Sequence, residues 1–441
     1  MACFRNRDQK NLAIVVLVAV GFLVLGGGLV FSGGAQEATR PTRITYLSSG
    51  SADVEQAHDQ KWVEAFNNSR SDIQVDYELT TWADLFTRLY ADIGAGRAPD
   101  VVWYGFAQIY EWQQMGILEP LDNWIGPELW DQYLPHLTSP GSEVFYDGHI
   151  YGAPFTQAAR TFIVRRDWLE AAGYPPENIR TWDDLIAAAA AVTDPSQGRY
   201  AISISLAEDR MVGAALHHYF APSHGLRNAV DFRPEMRSSY VEMLANLQRL
   251  APYMPPAQTG WTHRDSIVSY VNGTVAIALQ GSFFQGDLAN LAPEITSPRY
   301  TAVMPVPAGG SQDRPTISAY SVGYVMMRDS QNKEAAAEFI KFMADNRVAR
   351  EWAMNVSPHQ TVTIDDRVEV LGEQVRWWEN EWARLFAGDG RTDLKAVEPY
   401  SPVREIDSIK AEVITDLLAG RLSPDAAYEQ MKSRVEAVWA R

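Results

Sequence analysis

Cysteine is almost missing from this chain. Its 441 residues carry one, Cys3, near the amino terminus, so an intramolecular disulfide and a cysteine-based metal site are both excluded. An excess of basic residues is missing too. Lys and Arg number 38 against 55 Asp and Glu, a formal net charge of -17. That balance is the reverse of the basic footprint of a nucleic-acid binder, and no nucleic-acid partner is expected. The sequence holds neither a Gly-x-Ser-x-Gly elbow nor a Gly-x-x-x-x-Gly-Lys-Ser/Thr phosphate loop. His217, His218 and His224 do not fit His-Glu-x-x-His spacing and read as ordinary helix and loop residues. Acid pairs such as Asp183-Asp184 are explained by helix capping. No catalytic residue, metal or cofactor is expected. A glycan-active enzyme stays open as an alternative, because the distance between its two carboxylates is set in space, not in sequence.

What is present is apolar and aromatic. Hydrophobic residues make up 46% of the chain and aromatics 11%, with 14 Trp and 19 Tyr. This is ample for a packed core, and the length fits two or three domain-sized units. Residues 1–38 read as a signal peptide or membrane anchor. Arg5, Arg7 and Lys10 precede an uncharged, mostly apolar run from Leu12 to Phe31, and Gly33-Gly34-Ala35 supplies small residues for cleavage. The run is long for a signal peptide and long enough to span a bilayer. Either way the positive flank stays inside and the body is placed outside the cytoplasm.

The organising stretch is Gly96 to Asp122. Gly96-Arg97-Ala98-Pro99-Asp100 is a turn, Val101-Val102-Trp103-Tyr104 a buried strand, and Phe106 to Met115 a helix stopped by Gly116. Before it, strands are predicted at Arg43–Leu47 and Ile73–Tyr77, with helices at Val54–Phe66 and after the capping box Thr81-Trp82-Ala83-Asp84. This βαβαβα order predicts an α/β fold with a mainly parallel sheet flanked by helices. Further strands are predicted at 150–155, 161–165, 200–205, 275–280, 301–306 and 321–327. Beyond Gln331 the chain reads helical, with a strong start at Ser423-Pro424-Asp425. The cluster Trp377, Trp378 and Trp382 reads as helix packing.

Several segments, in order, resemble the bacterial extracellular solute-binding proteins that deliver sugars to ABC transporters, the maltose-binding-protein-like family. The opening stretch is similar to that family's "GxxPDvv…gxlxpLd" segment, and Tyr146–Phe155 to its "dGkiYGvP" strand. The match continues through Arg166–Gly173 with Thr181–Leu185, Asn272–Ser282, Asn332–Met343 and Leu418–Ala427. One departure stands out: the family's usual Tyr-Asn is here Val164-Arg165. The resemblance implies a two-lobed periplasmic-binding-protein fold of type II with a ligand cleft between the lobes. Carried over, lobe one is 39–155 plus 275–316 and lobe two 160–271 plus 321–441. Hinge crossings then fall at 156–160, 271–275 and 316–321. The resemblance further implies a monomer that binds a mono- or oligosaccharide and hands it to a membrane-embedded ABC permease. A non-sugar solute such as a glycerol phosphate compound, or an anchored scaffold, are the alternatives.

Sugars present apolar C–H faces to aromatic rings and hydroxyls to polar groups. In a parallel sheet, ligands sit beyond the carboxyl ends of strands. Ligand-contact candidates are therefore Ser49, Trp82, Trp103, Tyr104, Phe155, Gln157, Arg160, Trp261, Gln280, Ser282, Phe283 and Tyr320. Ser49 and Gln157 are hydroxyl partners or turn residues; Arg160 forks sugar hydroxyls or a carboxylate, or joins an interlobe ion pair.

Overall fold

The computed structural model describes residues 40–441 apart from 51–52, 83, 134–136, 139, 141, 356–368, 370–375, 388 and 402. The N-terminal targeting segment therefore lies outside the described residues. No helix among the described residues is long and apolar enough to cross a membrane.

Eight strands carry the frame: β1 (Thr42–Ser48), β2 (Ile73–Leu79), β3 (Val101–Gly105), β4 (Ala153–Arg165), β5 (Tyr200–Ile202), β6 (Val275–Gly281), β7 (Thr301–Met304) and β8 (Thr316–Met327). They lie in one hydrogen-bonded sheet in the order β2-β1-β3-β8-β4-β6-β5, with β7 also on β4. Its two ends are parallel, β1 with β2 and β3, and β5 with β6. The middle is antiparallel.

Two long strands divide this sheet into halves. The first part of β4 pairs with β8 from Ala153 to Ala158, and the second part pairs with β6 from Arg160 to Val164. The polar gap at 156–160, expected to separate two strands, is thus the middle of one strand. β8 likewise pairs with β3 from Val322 to Met326. A bulge at Val322/Gly323 marks the crossing. Any Cβ at Gly323 would run into the Ala153 carbonyl and the Phe106 ring, so only glycine lets β8 come this close.

Each half is sandwiched by helices. In β3, Val101 and Trp103 face one cluster with Tyr46, Phe66, Phe155, Tyr324 and Phe339, while Val102 and Tyr104 face another with Leu85, Phe86 and Trp112. This is the period-two alternation of a strand covered on both faces. In the second half, Phe162 and Val164 join a large cluster with Trp182, Tyr219, Tyr240 and Tyr428, and Ile163 faces Tyr270, Phe284, Trp378 and Trp382.

This packing corrects the expected division of the chain. Segment 275–316 belongs to the second half, since β6 pairs with the far part of β4 and buries Ile277 and Ala278 in that half's two cores. The expected crossing at 271–275 is no crossing: Tyr270 and Val275 share one cluster. Conversely, β8 beyond Ser321 and the helix Lys333–Met343 pack in the first half, with Phe339 against Tyr46 and Phe66. The chain is back in the second half by the helix Arg376–Ala387. Alternating hydrophobicity tells that a strand is covered, not which sheet covers it.

Candidate functional site

The carboxyl end of β3 and the turn before the helix Leu85–Gly94 bring Trp82 against Tyr104, ring centroids 4.5 Å apart. The Thr81 hydroxyl accepts from the Asp84 backbone N–H at 3.1 Å and donates to its carboxylate at 2.8 Å, which fixes this turn. Trp103 backs the pair, its ring 5.5 Å from Trp82. Across the seam stands the helix Asp209–Ala215 of the second half. The guanidinium carbon of its Arg210 lies 5.6 Å from the Trp82 ring centroid, a cation–π distance. The Arg210 charge also acts on the Tyr104 hydroxyl. Burial pushes that hydroxyl's pKa up, and Arg210 pulls it partly back.

A second wall comes from the crossing strands and from the helical turn Leu216–Phe220, wound one residue wider than an α-helix. Such widened turns recur at functional sites. Arg160 of β4 lies 4.6 Å from the Tyr320 ring and 5.5 Å from the Phe283 ring. It donates to the Tyr219 hydroxyl at 3.4 Å, and Tyr219 donates to the Gln280 carbonyl at 3.0 Å. The Gln280 amide meets His263 at 3.2 Å. The Ser205 and Ser266 hydroxyls are 2.7 Å apart. A narrow cavity, with room for about one water, is bounded by Arg160, Ser205, Met211, Tyr219, His263 and Ser266.

Several buried polar atoms here have no hydrogen-bond partner among the described residues: Arg160 Nε, Gln280 Oε1, His217 Nδ1 and His218 Nδ1. Such atoms are costly unless something pairs with them. His217 stacks edgewise on Tyr400 at 5.1 Å, and His218 lies 5.5 Å from Tyr320. Burial above all lowers all three site histidines, with nearby cations and, for His218, the neighbouring His217 adding to it; His263 falls to about 3, and all three are neutral at physiological pH. Beneath them, fully buried Lys410 donates to Asp407 at 2.8 Å, and the Tyr400 hydroxyl donates to the same carboxylate at 3.1 Å.

The structure brings together Trp82, Tyr104, Arg160, Gln280, Phe283 and Tyr320. Other candidates it uses differently. Trp103 and Phe155 are 2% and 1% exposed and belong to the core, each within 5.6 Å of Trp352. The Ser49 hydroxyl donates to the Trp103 carbonyl at 3.1 Å and closes a strand end. The Ser282 hydroxyl accepts the Ala159 N–H at 3.3 Å. Trp261 packs, partly buried, against the second-half cluster that holds Ile163 and Trp378. The Gln157 side chain lies outside the described residues; its backbone pairs with Ser321. Val164 is buried core, and Arg165 pairs with Asp167 at 2.6 Å and stacks on Trp168, so the departure from Tyr-Asn serves packing. Sequence reasoning missed Arg210, Tyr219 and His263. Nothing in their spacing separates them from surface or core residues. Among the described residues, no three His, Cys, Asp or Glu side chains are grouped to hold a metal ion.

Comparison with known proteins fits this geometry. The family model for bacterial extracellular solute-binding proteins matches residues 51–350, more than half of the chain. A putative binding protein of Brucella abortus is 23% identical over 389 residues, covering 85% of this chain and 88% of that one. Among solved structures, an ABC substrate-binding protein of Listeria monocytogenes in complex with cycloalternan superposes with a TM-score of 0.70 at 21% identity. It covers 91% of this chain and 99% of its own. A solute-binding protein of Thermotoga lettingae bound with α-D-tagatose gives 0.70 at 19%, covering 90% and 99%. The fold is that of the maltose-binding-like type II periplasmic binding proteins. On the family match, this chain belongs to the bacterial extracellular solute-binding proteins.

Proposed function

We propose that this protein is the extracytoplasmic binding component of an ABC importer and that it closes its two halves over a carbohydrate or polyol. The observation that carries this reading is the seam itself. The Trp82–Tyr104 ring pair of one half faces the Arg210 guanidinium of the other, which also carries the Tyr219 hydroxyl and the Gln280 amide. Rings take the C–H face of a sugar and the polar groups take its hydroxyls. The cycloalternan and tagatose complexes of structurally similar proteins support the same class of ligand.

In this reading β4 and β8 act as hinges at 156–160 and 316–321, where each strand leaves one half for the other. The ligand favours closure by binding the closed form more tightly. A membrane permease receives the closed form, residues 1–38 direct export as a cleaved signal or a retained anchor, and the protein works as a monomer without altering its ligand. A thermal-shift screen of the purified protein against sugars, polyols and glycerophosphodiesters tests the reading. A saturable rise in melting temperature with ligand recovered intact supports it. A flat screen, or sustained turnover of an oligosaccharide, overturns it.

A further inference from the structure

We infer that the ligand carries an oxyanion, a carboxylate or phosphate on a carbohydrate or polyol frame, gripped by Arg160 and Arg210. This rests on the carbohydrate reading above and narrows it.

The first ground is charge that lacks a partner. Arg160 and Arg210 sit at one seam, and neither forms an ion pair with a carboxylate among the described residues. Their contacts carry no negative charge: the Tyr320 and Phe283 rings and the Tyr219 hydroxyl for Arg160, the Trp82 ring and the Met211 sulfur for Arg210. The Arg160 Nε has no acceptor among the described residues. Both guanidinium groups bear on the same three side chains, Tyr104, His218 and His263.

The second ground is that the neighbouring acids are engaged elsewhere. Asp407 holds Lys410 and the Tyr400 hydroxyl. Glu208 accepts the His263 backbone N–H at 3.0 Å, Asp209 the Ser408 hydroxyl at 2.6 Å, and Glu111 the Val403 N–H at 2.7 Å. The histidines are neutral. The Asp407–Lys410 pair cancels, and Glu208, Asp209 and Glu111 are held by other donors, so neither guanidinium has a carboxylate in ion-pair contact among the described residues. Elsewhere this chain pairs its arginines readily: Arg165 with Asp167, Arg233 with Asp231 and Arg249 with Asp183, all within 2.7 Å. Two partly buried guanidinium groups without carboxylates are a standing deficit of anion, and the planar fork suits an oxyanion's paired oxygens.

The test uses matched ligand pairs on the purified protein, followed by calorimetry and thermal shift. The pairs are galactose with galacturonate, maltose with maltobionate, glucose with glucose 6-phosphate, and glycerol with glycerol 3-phosphate. The inference expects a charged member to bind at least 10-fold more tightly than its neutral parent, and the preference to shrink as salt rises. The carboxylate and phosphate arms tell the two oxyanions apart. Arg210→Gln and Arg160→Gln are each expected to cost the charged ligand about 10- to 100-fold, the range for hydrogen bonds to charged groups. Arg210 lies on a half-buried helix face, so its variant folds even where Arg160→Gln does not. Equal or tighter binding of a neutral parent overturns the inference and leaves the carbohydrate reading standing. A charge preference unchanged in both variants overturns the assignment to these arginines. Binding of no member overturns the carbohydrate reading and the inference with it.

Discussion

Arg210 lies over the ring of Trp82, 5.6 Å from its centroid, although the two side chains belong to opposite halves of the sheet. Trp82 is half-buried at a turn, whereas Trp103, its edge-on neighbour, is 2% exposed. The two tryptophans should therefore answer truncation differently. Trp82→Ala is expected to weaken ligand binding by 10-fold or more and to shift the melting temperature of the empty protein little. Trp103→Ala opens a hole against Trp352 and should cost about 3–5 kcal/mol of stability, read by urea unfolding. Equal loss of stability in both would remove Trp82 from the ligand wall.

Tyr219 ties the second wall together, accepting from Arg160 and donating to the Gln280 carbonyl. Tyr219→Phe keeps the ring that stacks on Phe162 and deletes only the hydroxyl. Binding should weaken several-fold, with an unfolding cost of about 1–3 kcal/mol for the acceptor left unpaired. Calorimetry and unfolding of the same sample separate the two effects.

Glu143 supplies a pH signature. Its carboxylate accepts the Ser321 backbone N–H at 2.8 Å on the crossing strand, and burial raises its pKa to about 7. The folded form therefore holds this proton more tightly than the unfolded chain. Its contribution is fully present below the ordinary glutamate pKa and is lost as pH rises through 7. Stability should decline between roughly pH 4.5 and 7.5 by an amount on the order of 1–3 kcal/mol, at about 1.4 kcal/mol per pKa unit. Glu143→Gln should flatten that slope. A slope unchanged in the variant would assign it to other groups.

The buried Lys410–Asp407 pair should behave asymmetrically. Lys410→Met leaves Asp407 charged and without its cation, at a cost of about 3–5 kcal/mol. Adding Asp407→Leu should recover most of that loss. Guanidinium unfolding of the two variants checks this.

Local structure was legible where pattern and chemistry coincide. The run Val101 to Tyr104 reads as a covered strand and is one, and the capping box at Thr181-Asp184 is present with both reciprocal bonds. The family, and with it the fold, was legible from short motifs kept in order. The division of the chain was not. β4 and β8 carry polar residues in mid-strand because they cross a seam, so the sequence shows a gap where the backbone is continuous. The site was half legible for a similar reason. Strand ends announce Trp82, Tyr104, Arg160 and Gln280, but Arg210 and Tyr219 come from a helix and a widened turn whose inward residues look like any others. Trp103 and Phe155 stand at strand ends and still point into the core, because alternation, not proximity to an end, decides the face.

The most direct measurement is the distance between a label on the helix Leu85–Gly94 and one on the helix Asp209–Ala215, read with and without carbohydrates, sugar acids and polyols. The account expects one ligand class to shorten that distance saturably, with the ligand recovered unchanged and the effect lost in Trp82→Ala. A distance indifferent to every ligand, or a ligand returned chemically altered, would contradict it.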